Sequence, residues 1–302
     1  NKLTSLDVSK NTVLNDLWCA GNKLTSLDVS ANTALTHLDC SYNQLTSLDV
    51  SKNTALTKLT INENQLTSLD VSKNTALNDL WCADNQLTSL DVSNNTALTV
   101  LDIGGDPYTN LDVSKNTALT YLGIRSTQLT SLDVSSNTAL EHLYVNDNQL
   151  TSLDVSSNTA LITLWCQDNQ LTYLNMRNGI TDALNGIGPE DTDFNATNNS
   201  LTCIEVLDPD WSTENWTSAK ENIDAGVTFA YICGVDVDGV ATYNNNGIKA
   251  ITFNVELPTH SLPDTNISLA FWKSGAESNE CTGCNGRDTV WMHKLSDDHW
   301  EA

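Results

Sequence analysis

The stretch from Leu35 to Thr54 is written again, almost verbatim, from Leu14, Leu56, Leu77, Leu98, Leu119, Leu140 and Leu161, with 21 residues between successive starts. A fixed period of this size means a solenoid. One such unit cannot bury its apolar face alone, so neighbouring units must stack.

Each unit has two similar halves. The first places apolar residues at Leu14, Leu17 and Cys19, then Asn22 and Leu24. The second runs Leu24, Leu27, Val29, Asn32. Leu17-Trp18-Cys19 and Leu27-Asp28-Val29 alternate with strand period. Neither half is long enough for a crossover helix. The expectation is a mostly β coil with two short strands per turn, turns at the asparagines, and neighbouring coils about 4.8 Å apart. Leu17, Leu38, Leu59 and Leu80 then form one inward column, and Leu27, Leu48, Leu69 and Leu90 another. Asparagine side chains bond nearby backbone and tolerate left-handed conformations. Stacked as Asn22, Asn43, Asn64, Asn85 and Asn11, Asn32, Asn53, Asn74, they would also satisfy backbone groups of the adjacent coil.

This pattern resembles the leucine-rich repeat, and more narrowly the nested bacterial type called IRREKO, LxxLxLxxNxLxxLDLxxN. The resemblance covers roughly residues 1–178. It implies an extracellular or surface-attached bacterial protein that binds something, and it implies no catalytic activity. The chain opens mid-repeat at Asn1 to Leu3. Solenoid ends need polar caps, so a trimmed product lacking earlier coils is expected. The alternative is self-association through the raw N-terminal end, giving a filament or surface assembly.

The cysteines fall into classes. Cys19, Cys40, Cys82 and Cys166 take the inward position that Ile61, Ile103, Ile124 and Val145 hold elsewhere. They read as small buried hydrophobes with free thiols, since parallel side chains on adjacent coils make poor disulfide geometry. Cys203 and Cys233 flank a segment without repeats. With Asn198, Leu201, Trp211 and Trp216, they resemble the terminal cap of flavobacterial leucine-rich repeat proteins. That resemblance implies a disulfide closing a loop of 30 residues, contributing about 3–4 kcal/mol by the loop-entropy model, and an oxidising compartment. Cys281 and Cys284 form a lone CxxC. A local disulfide is expected; half of a zinc site completed by His293 or His299 is the alternative. No metal site and no cofactor is otherwise indicated.

Along the chain, the coil from Leu98 departs most, with Gly104, Gly105, Asp106, Pro107 and Tyr108 in place of its turn. The next coil departs at Gly123, Arg125 and Thr127. From Val29 to Leu38 is 9 residues, but from Met176 to its counterpart Phe194 is 18. An insertion of about nine residues around Asn185 to Asp191 is therefore expected to bulge from the last coil. Asp208 and Pro209 start a capping helix that should reach about Ala225, with Trp211 and Trp216 packed on the end of the stack. The expected organisation is a solenoid over 1–178, an irregular last coil and disulfide-linked cap over 179–234, and a small antiparallel β extension over 235–302, read as the start of a truncated further module. Its strands read around Ile251–Leu257, Ile267–Phe271 and Val290–Met292.

The formal charge of −24 argues against nucleic acid and anionic membranes as partners. No apolar run is long enough for membrane insertion. Within the repeat, the second half barely varies, whereas the first half varies at its outward positions. One column runs Asp16, His37, Lys58, Asp79, Val100, Tyr121, His142, Thr163. The other runs Trp18, Asp39, Thr60, Trp81, Asp102, Gly123, Tyr144, Trp165. Exposed aromatics invite association, and Trp and Tyr anchor protein partners; sugars also stack on rings. The candidate binding face therefore holds Trp18, His37, Asp39, Lys58, Trp81, Asp102, Tyr121, Arg125, His142, Tyr144 and Trp165. Gly104, Gly105 and Gly123 would let a ligand approach the backbone. The blander reading is that the rings merely cover the strands.

The invariant column from Asp7 and Asp28 to Asp154 is a second candidate. Like charges one coil apart repel. Hydrogen bonds from adjacent Ser and Thr columns would offset this; a cation ladder is the sharper alternative. Catalysis has little support. His37 and His142 lie five coils apart, about 24 Å, and no nucleophile elbow, Walker loop or HExxH occurs. The sequence reads as a non-enzymatic binding or adhesion scaffold for a protein or glycan.

Overall fold

The computed structural model describes residues 2–179 and 193–233, and beyond these only four strand backbones between 268 and 301. The chain divides into two compact units, 1–233 and 234–302.

The first unit is a parallel β solenoid. Nine short strands stack into one sheet: β1 Asp16–Trp18, β2 His37–Asp39, β3 Lys58–Thr60, β4 Asp79–Trp81, β5 Val100–Asp102, β6 Tyr121–Gly123, β7 His142–Tyr144, β9 Thr163–Trp165 and β11 Phe194–Asn195. Register is set by the repeat: Leu17 pairs with Leu38, Leu38 with Leu59, and Leu59 with Leu80. Phe194 pairs with Leu164, which is 30 residues earlier instead of 21. The expected nine-residue insertion therefore lies between them; residues 180–192 themselves fall outside the described residues. The inward columns form one continuous core in which Leu59, Leu80, Leu101, Ile61 and Cys82 are fully buried.

Two ladders of asparagine amides bind coil to coil. In one, Asn43 Oδ1 accepts from the Leu24 N–H at 3.0 Å, while its Nδ2 donates to the carbonyls of Cys19, Cys40 and Ser41. In the other, Asn74 Nδ2 donates to Val50 at 3.0 Å and Asn53 at 2.9 Å. The expected turn role is thus met, with one correction. The left-handed residue is the one before the first asparagine: Tyr42, Glu63, Asp84, Ser126, Asp147, Asp168 and Asn198 all have φ between 52 and 56°, as Gly21 and Gly105 do at 66 and 79°. The asparagine's own side chain rewards that conformation by bonding across the turn.

The second strand of each coil is a partial match. Strands form there only late, as β8 Ser152–Asp154, β10 Tyr173–Asn175, β12 Cys203–Glu205 and β13 Thr228–Ala230, which make a second, four-stranded parallel sheet. The second asparagine ladder explains the boundary. Wherever it runs, the carbonyl of Val29, Val50 or Val134 accepts an amide from the next coil's asparagine instead of a strand N–H. The ladder ends at Asn158, because Gly179 occupies the next position. There the backbone pairs directly, with the Val155 N–H donating to Asn175 at 2.9 Å.

The cap helix α1 spans Pro209–Asn215, shorter than the run to Ala225 that its sequence predicts. Asp208 caps it, accepting from the Trp211 N–H at 3.0 Å. It stops because Trp216 turns extended, φ −104° and ψ 101°. This drives the indole against Phe194, Trp211 and Phe229, with ring centroids at 4.7, 5.3 and 5.9 Å. Trp216 is 4% exposed, so it closes the core. Cys203 and Cys233 are joined in a disulfide, whereas Cys19, Cys40, Cys82 and Cys166 are free and buried.

In the second unit, β14 Ser268–Phe271 pairs antiparallel with β15 Asp288–Trp291, and β16 His293–Ser296 with β17 His299–Glu301. The expected strand over 251–257 and the Cys281–Cys284 pair lie outside the described residues.

Replacing Asn74 with Ala removes the second donor from two buried carbonyls, Val50 and Asn53, each of which keeps one backbone N–H, and should cost about 1–2 kcal/mol in denaturant unfolding. Asp70→Asn, on the exposed side of the same turn, should change stability by less than about 0.5 kcal/mol.

Candidate ligand-binding face

Inward leucines leave the flanking residues of every strand pointing outward, so the two variable columns share the nine-stranded face. The face is not uniform. Over the first coils it is polar and internally paired. His37 Nδ1 lies 2.8 Å from Asp16 Oδ1, and Lys58 Nζ lies 3.5 Å from Asp79 Oδ2. Asp39 accepts from the Ser41 N–H at 3.0 Å. Trp18 is 69% exposed and stands apart from the other rings.

From coil four onward the rings join. Trp81 and Tyr121 have centroids 5.5 Å apart, Tyr121 and Tyr144 5.3 Å, and Tyr144 and Trp165 5.3 Å. His142 lies 6.4 Å from Tyr121 and bonds Thr163 Oγ1 at 3.0 Å. The Arg125 guanidinium carbon sits 5.5 Å from the Tyr144 centroid. Tyr121 reaches Trp81 across the coil between them, whose outward residues are Val100 and Asp102, neither of them a ring.

Beneath the rings lies Asp102, 2% exposed. It accepts from Arg125 Nη2 at 2.8 Å, Tyr121 Oη at 3.2 Å and the Gly104 N–H at 3.3 Å. Burial, and then the Asp102 charge, push the Tyr121 phenol well above its ordinary value. Asp102 was expected among the ligand contacts; its own neighbours cover it, and it acts by holding Arg125 and Tyr121 in place. The glycines also have an internal purpose. A Cβ at Gly123 would lie 2.9 Å from Asp102 Oδ2 and 3.3 Å from the Tyr121 ring, and one at Gly104 would lie 2.8 Å from the Arg125 carbonyl. The space that seemed open to a ligand is filled by this cluster.

A second such cluster was not singled out from the sequence. On the later sheet, Glu205, 5% exposed, takes Tyr173 Oη at 3.2 Å, Arg177 Nη2 at 3.0 Å and the Cys233 N–H at 3.1 Å. Both clusters share a Tyr followed four residues later by Arg, at 121/125 and 173/177. That recurrence was the available signal. Tyr108 was also missed: it fills a leucine position and is fully buried.

The aspartate column is bonded, as expected, from the serine column beside it. Asp49, Asp70 and Asp91 each accept from the backbone N–H of the serine two residues on in the same coil, at 2.9 Å. Hydrogen bonds from that serine hold these carboxyls below their usual range. Among the described residues, no group of three or more His, Cys, Asp or Glu side chains is arranged to hold a metal. Burial raises the Cys19 thiol to about 11 and the Cys166 thiol to about 12, which keeps them protonated and inert.

Solved structures share this geometry. The functional domain of InlJ from Listeria monocytogenes, described as including a cysteine ladder, is 39% identical, with 68% of this chain and 44% of that one covered and a TM-score of 0.61. The L. monocytogenes internalin inlF is 28% identical, covering 57% and 53%, with a TM-score of 0.54. A Leptospira interrogans leucine-rich repeat protein, 22% identical, covers 74% and 58% at a TM-score of 0.60 and speaks to the fold alone. The fold is the leucine-rich repeat solenoid, and bacterial leucine-rich repeat proteins are among its structural neighbours. This chain spans about half the length of the solved chains it matches. No protein-family model and no curated protein matches the sequence.

Arg125→Ala leaves Asp102 buried without its cation. With the Arg125 side chain 41% exposed, the loss should be discounted to about 2–3 kcal/mol, and adding Asp102→Asn should recover part of it. The depressed aspartate column contributes stability above the unfolded carboxyl value of about 3.9 and loses it as pH falls through the lower folded values. A thermal melt series should therefore show melting temperature dropping below about pH 4.

Proposed function

We propose that this chain is a non-enzymatic extracellular scaffold that takes a protein partner on the row Trp81, Tyr121, Tyr144 and Trp165. The mutual packing of those rings is the observation that carries the reading. Their planes are tilted by 36–84° against one another, so they make one continuous apolar strip instead of separate flat platforms. A strip of this kind suits the side chains of a protein anchor better than the faces of successive sugars. The strip is rigid before binding, since the Asp102 carboxylate fixes both Tyr121 and Arg125. Preorganised rings lose little freedom on association. Arg125 and His142 flank it as polar rim contacts.

The same face argues against catalysis. The open sheet face offers the row no water-excluding cleft, and the carboxylate beside it is already paired with Arg125. An oxidising, extracellular setting is supported by the Cys203–Cys233 disulfide. The described helices include none long and apolar enough to cross a membrane.

Probing arrayed secreted and cell-surface proteins alongside a glycan array tests the reading. A protein ligand is expected, with affinity falling at least about 30-fold for each of Tyr144→Ala and Trp165→Ala if they are hot spots. Trp18→Ala should leave binding within about threefold. Unchanged affinity in a fold-verified Trp81→Ala/Tyr144→Ala/Trp165→Ala variant, or ligands found only among glycans, would contradict it.

A further inference from the structure

The first asparagine ladder is broken in two successive coils. Asn22, Asn43, Asn64 and Asn85 occupy it, then Asp106 and Thr127, then Asn148, Asn169 and Asn199. The intact rung at Asn85 shows what the position requires. Its Oδ1 accepts from the Leu66 N–H at 3.1 Å, and its Nδ2 donates to the carbonyls of Ile61, Cys82 and Ala83 at 3.0–3.3 Å. Asp106 reproduces half of this, accepting from the Leu87 N–H through Oδ1 at 3.1 Å. Its Oδ2 stands in place of the amide nitrogen, is buried, and has no donor. The side chain is 1% exposed. An ionised oxygen there would face the carbonyls that an amide would have satisfied.

The neighbouring rung sharpens the problem. By the ladder's spacing, the Ile103 carbonyl would take amides from positions 106 and 127. Thr127 has no amide, and its hydroxyl is given to Asn148 Oδ1. A hydrogen on Asp106 Oδ2 would supply the missing donor.

We propose that Asp106 is folded as the neutral acid, an Oδ2–H replacing the ladder's amide, and that its ionisation loosens the coils beneath the aromatic row, so that the face is gated by pH. The gating rests on reading that row as the binding face; the protonation does not. The mechanical link is short. Asp106 follows directly on Gly105, whose N–H donates to the Arg125 carbonyl at 2.8 Å. Arg125 in turn holds Asp102 and lies over Tyr144.

Of the groups facing Asp106, the Asp84 charge favours the neutral form. From the preceding coil the facing groups are the Asp84 carboxylate and the Cys82 thiol; from its own coil, the buried Tyr108 hydroxyl. The following coil offers Thr127, and the Arg125 charge is taken by Asp102. Burial raises the Asp106 carboxyl to about 7, with Asp84 adding to the rise and backbone hydrogen bonds opposing it. The unfolded value is about 3.9. A group raised on folding favours the native state below its unfolded value, and that contribution is lost as pH rises through the folded one.

The test uses the intact chain. Carbon-13 NMR of the Asp106 carboxyl follows ionisation, and amide exchange at Leu87, Ile103 and Gly105 follows loosening. The carboxyl should titrate near 7. Exchange at those amides should rise between about pH 6 and 8 beyond the base-catalysed increase seen at Leu45, and Asp106→Asn, which restores the ladder residue, should abolish the excess. A carboxyl midpoint below about 5 overturns the proposal, as does an equal excess in Asp106→Asn. Neither readout needs a ligand, so failure of the binding reading would be seen separately.

Discussion

Stacking depends on how each coil hands hydrogen bonds to the next. A coil this short has little internal backbone pairing, and first-turn carbonyls such as that of Cys19 take their donors from asparagine side chains. These side chains donate across the coil boundary, from Asn43 to Cys19 and from Asn74 to Val50. Leucine burial supplies the drive for stacking, but leucine contacts are tolerant of small slips. The directional amides are not, and they lock a register in which every residue lies beside its counterpart 21 positions away.

That register turns a one-dimensional repeat into a surface. Positions freed from packing line up in columns, so changes in separate coils become neighbours. Tyr121 meets Trp81 two coils back and Tyr144 one coil on, although these residues are 40 and 23 apart in the chain. The cost of placing an acid among rings is met locally, because Asp102 is given Arg125 and Tyr121 as donors. The same two coils carry the glycines, Tyr108 and both broken rungs of the ladder. Departures from the repeat are thus concentrated under one part of the face.

The period and the inward leucines were legible because each is stated eight times over, and the four thiols because they share one inward column with Ile and Val; a packing rule repeated at a fixed step needs no tertiary information. What lay beyond reach depended on single events. The shortness of α1 follows from Trp216 finding Phe194, a contact between the cap and the last coil. The limited second sheet follows from the last ladder asparagine, and Gly179 marks its end only once the amide's role is known. The glycines at 104 and 123 looked like openings because a sequence shows a missing side chain but not the Tyr121 ring or the Arg125 backbone that takes its space.

Coupling between Trp81 and Tyr121 tests the shared register most directly, because these residues can touch only if three successive coils align. A double-mutant cycle on unfolding free energy, using Trp81→Ala, Tyr121→Ala and both together, should return an interaction of about 0.5–1.5 kcal/mol beyond simple addition. Effects that add within about 0.3 kcal/mol would mean that the rings do not meet, and the continuous aromatic row would not exist.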